Sequence, residues 1–220
     1  MLKQAAATFA YVPNILFARE GTNYLANPTP SAFQHYWSLG IEEQFYLLWP
    51  LFLFVIYKAA RGKKTGIIAT TAVLSILSFA AGWWLTGVRQ PWAFFLLPTR
   101  VWELGVGGLL AIALLAWSHL NEKASWKPPI AWIGLVTLTV PAFLYDDATA
   151  FPGWVAIFPV LGTAAVILGG TGYEAGGTVS LLSVRPMVWL GKVSYSVYLV
   201  HWPLLVVPQT TLGWENPIPF

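Results

Sequence analysis

The sequence predicts an all-α fold: a polytopic bundle of about seven transmembrane helices forming one integral-membrane domain over residues 1–220. Three observations carry this expectation. First, 57% of the 220 residues are hydrophobic and only 10% are charged, whereas about a quarter of an average soluble domain is charged. So few charges leave a soluble surface uncovered, and the mean hydropathy is +0.62. Second, charges bracket long uncharged runs: 15 residues between Lys3 and Arg19, 24 between Lys64 and Arg89, 18 between Lys127 and Asp146, 26 between Asp147 and Glu174, and 22 between Lys192 and Glu215. A helical span takes about 20 residues. Third, these runs are continuous, without the alternation of about ten-residue segments that marks a membrane barrel. The aromatic and apolar mass excludes disorder. The absence of cysteine excludes a disulfide framework and a thiolate metal site.

Taken in order, the expected spans are about 4–18, 38–57, 66–87, 92–117, 129–145, 152–170 and 189–208. The first is short and interrupted by Pro13-Asn14. No small-residue cleavage site follows it, so it does not read as a signal peptide; it reads as the tail of something that began earlier. The second and fourth reach full length only by admitting charged residues. Asn27-Pro28-Thr29-Pro30 marks an extended outer segment. Pro128-Pro129 opens the fifth span, where proline is tolerated in the first turn. Phe151-Pro152-Gly153 opens the sixth, and Gly169-Gly170 with Gly172 ends it. Thirteen Trp residues, most near span ends, fit an interfacial aromatic belt.

Lys and Arg set the orientation. Lys58, Arg61, Lys63 and Lys64 form the strongest basic loop, which is therefore cytoplasmic. Alternation then places Lys3, Lys123, Lys127, Arg185 and Lys192 inside as well, nine of twelve bases in all. Asp146, Asp147 and Glu215 fall outside. The net charge of +3 is thus a topological bias and does not point to nucleic acid.

Three polar clusters stand out. Glu42 and Glu43 begin an otherwise apolar span, where each ionisable group costs about 2.5–3.5 kcal/mol on insertion scales. Adjacent helical residues point about 100° apart, so the two carboxylates do not face one partner. The competing reading is capping, with Ser38 as N-cap and the acids favoured by the helix dipole. Arg100 and Glu103, at i and i+3, pair on one face, and Gly105 and Gly108 permit close helix packing. By the topology this pair starts at the outer face, as Glu42 does. Ser194, Tyr198 and His201 form a polar stripe ahead of Pro203, which frees a carbonyl. His201 is either a base or proton relay or a neutral ring bonded to a carbonyl. His35 and His119 lie near loops, and three scattered His residues do not make a metal site. A stacking role for Trp37 or Trp83-Trp84 is the minor alternative to the belt.

Trp37-Ser38-Leu39 followed by Glu42-Glu43-Gln44-Phe45-Tyr46-Leu47 and Pro50 resembles the WSLxxEEQFYLxxP signature of the membrane acyltransferase-3 family. Pro98-Thr99-Arg100 with Glu103-Leu104, Phe151-Pro152-Gly153-Trp154 with Pro159 and Gly162, and Gly191 to Pro203 resemble three further segments of that family, in order. The resemblance covers about residues 5–208. It implies a bundle of roughly ten or more transmembrane helices in the bacterial inner membrane. It implies O-acetyl transfer from acetyl-CoA, or another acyl-CoA, to a hydroxyl of a cell-surface glycan: lipopolysaccharide O-antigen, exopolysaccharide or peptidoglycan. No metal is expected. Glu42 and Glu43 carry over as catalytic candidates, the acidic partner of a histidine base. Trp37, Ser38, Arg100, Glu103, Ser194, Tyr195 and His201 carry over as residues lining the substrate site. The family's first helix bears an Arg (or Lys) and, about ten residues later, the favoured base; no position here matches it, so the chain reads as an internal fragment, a truncated gene product or a partial open reading frame. The competing functional readings are a glycan or lipid-carrier transporter, with the intramembrane acids as proton-coupling groups, and a non-catalytic membrane fragment. Paired halves, which a transporter would show, are not evident.

Overall fold

The computed structural model describes residues 2–22, 24, 31–146 and 148–212. Every regular element among them is helical. The Asn27–Pro30 segment, Asp147 and Glu215 lie outside the described residues. Five helices are long and apolar enough to cross a membrane: Gln34–Ala59, Lys64–Val88, Leu97–Ala116, Lys127–Leu144 and Arg185–Gln209. Each matches an expected span. The sixth, Trp154–Gly170, is apolar but shorter.

The expected first span is not one helix. It is divided into α1 (Leu2–Phe9) and α2 (Pro13–Glu20). Tyr11 takes a left-handed φ of 55° between them, and Pro13 has no N–H with which to continue α1. The freed groups are used by α3 (Trp37–Ala59). Gln44 donates from Nε2 to the Tyr11 carbonyl at 2.8 Å and to Asn14 Oδ1 at 2.9 Å. Asn14, fully buried, donates to the Phe95 carbonyl at 3.1 Å. Irregular backbone at membrane depth is tolerated where protein groups satisfy it. Gly40 makes room for this break: a Cβ there would stand 2.9 Å from Asn14 Oδ1.

α3 and α4 (Lys64–Val88) form a hairpin at the basic turn, where Arg61 and Gly62 take left-handed φ. The expected fourth span is also divided. A short buried helix, α5 (Gln90–Phe95), precedes α6 (Leu97–Ala116), with Leu96 extended between them. Thr99 donates to the Ala93 and Leu96 carbonyls at 2.9 and 2.7 Å, closing the end of α5. The Ser78 hydroxyl inserts into the first turn of α6: it donates to the Pro98 carbonyl at 2.6 Å and accepts from the Trp102 N–H at 3.2 Å. These bonds fix the direction in which α6 presents Arg100 and Glu103.

α7 (Lys127–Thr139) is extended by the turn α8 (Pro141–Leu144) and packs on α9 (Ile157–Gly170). Small residues allow backbone approach here. A Cβ at Gly134 would stand 2.7 Å from the Gly162 carbonyl, and one at Gly162 2.8 Å from the Gly134 carbonyl. Lys127, fully buried, donates from Nζ to the Leu120 and Thr171 carbonyls at 2.7 and 2.8 Å, locking the basic end of this pair. α10 (Gly177–Leu182) leads to α11 (Arg185–Leu212), a long helix that packs sparsely on the rest.

The core lies at the end of the bundle away from the Lys58–Lys64 turn, where Phe17, Trp37, Phe94 and Phe95 cluster. Tyr24 stacks between Phe94 and Trp202, with ring centroids 5.1 and 6.3 Å away; burial there pushes its phenol above the ordinary value. Leu47, Leu115 and Phe143 are more than three-quarters exposed, the apolar exterior of a protein whose solvent is lipid.

Candidate functional site

The site forms where the starts of α3 and α6, away from the Lys58–Lys64 turn, meet the start of α9. Arg100 is 7% exposed and set among aromatic rings. Its guanidinium carbon lies 5.2 Å from the Trp37 and Phe94 centroids and 5.5 Å from that of Phe151, within cation–π range. Its Nη1 donates to Glu103 Oε1 at 2.6 Å. The expected i, i+3 pair is therefore present.

This pair stands between two cavities. One, of about 190 Å³, is lined by Trp37, Ser38, Ile41, Glu42, Arg100 and Glu103. The other, of about 340 Å³, runs from Arg100 and Glu103 along α6 and α9. The structure thus brings Glu42, Arg100 and Glu103, clusters 58 residues apart or more in the chain, into one place. Glu42 is half-buried, with no hydrogen-bond partner among the described residues, and faces the cavity; Glu43 is exposed on another face. The two carboxylates diverge as adjacent helical residues must.

Ser38 is not an N-cap. A short 3-10 turn, Gln34–Tyr36, runs directly into α3, and Ser38 lies inside the helix. Its hydroxyl bonds the Tyr198 hydroxyl instead. Tyr198 in turn donates to the His35 carbonyl, so its single proton is committed there and Ser38 is the donor to Tyr198. Trp37, 9% exposed, is packed in the core and lines the cavity by one edge.

The remaining sequence-predicted residues stand elsewhere. Ser194 is exposed and donates to its own helix, to the Gly191 carbonyl at 2.8 Å. Tyr195 borders a separate cavity of about 320 Å³ with Tyr11, Tyr36 and Leu199. His201 Nδ1 meets the Tyr198 carbonyl of its own helix at 2.8 Å. Among the described residues no histidine lines the Glu42–Arg100 cavity, and no group of three His, Asp or Glu is placed to hold a metal.

Sequence reasoning passed over His35. It is 1% exposed, and its ring centroid lies 5.6 Å from that of His201. Its Nε2 sits 3.3 Å from the Leu199 carbonyl, which also accepts from Tyr36 Oη at 2.9 Å. Leu199 is four residues before Pro203, so no helical N–H claims its oxygen. The carbonyl freed by proline is what the 3-10 turn leading into α3 uses to grip α11. The proline was the available signal; the partner, 164 residues distant, was not legible.

The model of a family described as an acyltransferase domain matches residues 5–214. The chain belongs to this family, acyltransferase-3. Among curated relatives it is 26% identical to a putative peptidoglycan O-acetyltransferase, YrhL, of Bacillus subtilis, over 97% of this chain and 35% of the relative. It is 26% identical to the peptidoglycan O-acetyltransferase OatA of Listeria monocytogenes, over the same shares. It is 29% identical to the O-acetyltransferase OatA of Staphylococcus aureus, over 94% of this chain and 35% of the relative. The chain thus spans about a third of the length of the curated relatives it matches. No solved structure matches it.

Proposed function

We propose that this chain is the membrane part of an O-acyltransferase that moves an acyl group, acetyl when the donor is acetyl-CoA, from an acyl-CoA thioester to a glycan hydroxyl in a bacterial inner membrane. Peptidoglycan is the acceptor class favoured by the relatives' names. The observation that carries the reading is the shared cavity: an unpartnered carboxylate, Glu42, facing a caged cation, Arg100, at the outer end of the bundle. Acyl transfer needs both chemistries. A base takes the proton of the attacking hydroxyl, and a carboxylate that holds the base's other nitrogen fixes its tautomer and stabilises the imidazolium. Glu42 takes the second role, and the histidine reaches the cavity from outside the residues that line it here. Arg100 is the donor to the oxyanion that forms as the hydroxyl adds to the acyl carbon; collapse of that adduct breaks the C–S bond, and the CoA thiolate leaves with the proton held on the histidine. Ser38 and Glu103 shape the cavity. Tyr195 and His201 serve in the α3–α11 junction and its neighbouring cavity, while Ser194 bonds only its own helix.

The test is base-labile acetate on peptidoglycan from cells whose only copy of the protein is varied. Glu42→Gln lowers acetylation about 100-fold or more, the range of acid–base and orienting groups. Glu43→Gln costs at least tenfold less. Equal losses for the two, or full acetylation by Glu42→Gln at normal expression, sink the assignment.

A further inference from the structure

The larger cavity is a slot, and its shape has chemical meaning. It extends from Arg100 to Leu110 on α6, ten residues or about 15 Å at helical rise. Along that length a cavity of about 340 Å³ runs between α6 and α9. The walls are Val106 and Leu110 on one side and Val160, Ala164 and Ile167 on the other. The floor is Gly107, whose absent Cβ would meet nothing within 4 Å. The one hydroxyl on the walls, Thr163, already donates to the Pro159 carbonyl at 2.8 Å. Polarity is confined to one end. There, Glu103 occupies only one guanidinium nitrogen of Arg100, leaving N–H donors of a planar fork that suits phosphate and ester oxygens.

We propose that the α6–α9 slot is a lipid-binding site: it takes one acyl chain of an anionic phospholipid, with the headgroup oxygens on Arg100. An acyl-CoA pantetheine arm is a poorer occupant, because its two amides would find no free donor and a single acceptor, the Thr163 hydroxyl oxygen, along the walls and would lose most of their hydration uncompensated. The bound headgroup sits beside the Glu42 cavity, and a lipid-borne group held there enters acyl transfer from that end. This last consequence rests on the proposed function; the lipid site does not.

The experiment places the chain in nanodiscs of phosphatidylethanolamine and phosphatidylglycerol. The probe is a phosphatidylglycerol with a diazirine midway along one chain, and cross-linked peptides are mapped by mass spectrometry. Labelling is expected to concentrate on Val106–Leu110 and Val160–Ile167. Gly107→Leu, which fills the slot from its floor, and Thr163→Leu, which fills it from the wall, each reduce that labelling at least tenfold while labelling of the lipid-facing side of α4 persists. Glu42→Gln leaves it unchanged, so this site and the acyl-transfer reading fail separately. Even labelling of all helices overturns the proposal. So does labelling that survives both slot-filling variants, and so does displacement by excess acetyl-CoA, which would assign the slot to the thioester arm.

Discussion

At Arg100 a full positive charge is held inside a membrane bundle by one carboxylate and three rings. Its partner Glu103 is 23% exposed and the arginine 8%, so the arginine is the more deeply committed of the two. Removing the carboxylate leaves the cation buried without compensation, which costs about 3 kcal/mol or more. Glu103→Gln is therefore expected to lower the melting temperature in detergent by several degrees. The double variant Arg100→Met with Glu103→Leu removes both charges and recovers most of that loss, since a buried pair adds little net stability over apolar side chains. It does not recover acetylation, because the donor aimed at the cavity is gone. A double variant as unstable as Glu103→Gln alone would mean that the cage, not the charge balance, needs the guanidinium. The pairing itself was legible from the i, i+3 spacing. The cage was not, because Trp37, Phe94 and Phe151 come from three separate segments and only the α5–α6 break at Leu96 brings them together.

At the scale of elements, the positions of the long helices followed from where charges interrupt apolar runs, and five of the seven expected spans are helices of full length. What hydropathy did not convey is where a run breaks. Residues 4–18 are uniformly uncharged, yet the chain turns at Tyr11 because Pro13 cannot continue α1 and Gln44, held by Asn14, satisfies the exposed Tyr11 carbonyl. The capping alternative for Ser38 does not hold, because the 3-10 turn before it is continuous with α3. The α7–α9 pair shows the other side of the same physics. Lipid gives helices no hydrophobic reason to associate, so approach of backbones through small residues supplies the packing. Gly162→Val sets a branched side chain against the Gly134 carbonyl and the Leu138 N–H, each 2.8 Å from the new Cβ. Neither backbone atom can yield as a flexible side chain does, so α7 must move off α9. The expected result is a melting temperature lowered by about 5 °C or more, with the Arg100 slot widened and acetylation reduced. Gly87→Val, where a Cβ meets nothing within 4 Å, leaves the melting temperature unchanged. Equal stability of the two variants would show that the α7–α9 contact is dispensable.

For the molecule as a whole, sidedness decides whether the site faces the glycan. The α3–α4 turn with Lys58, Arg61, Lys63 and Lys64 leads one end of the bundle. The up-and-down order of α3, α4 and α6 brings the end of α6 to that same end. The loop after α6 and the end of α9 meet there: Lys127 bonds Leu120 and Thr171, and the Tyr173 hydroxyl bonds the Ala124 carbonyl at 2.9 Å. Lys58, Arg61, Lys63, Lys64, Lys123 and Lys127 are thus gathered at one end by the fold as well as by the sequence, and the positive-inside rule predicts that this end is cytoplasmic. Glu42, Arg100 and the Tyr24 cluster stand at the opposite end. The chain has no cysteine, so single introduced thiols report sidedness without background. Cysteine at Gly62 is expected to resist a membrane-impermeant maleimide in intact spheroplasts and to react after lysis, whereas cysteine at Arg89 reacts before lysis. Reaction of both before lysis would break the two-ended topology. The reversed pattern would put the Glu42–Arg100 cavity on the cytoplasmic side, where a soluble thioester meets it directly and an extracytoplasmic glycan does not, and the acceptor assignment would fall with it.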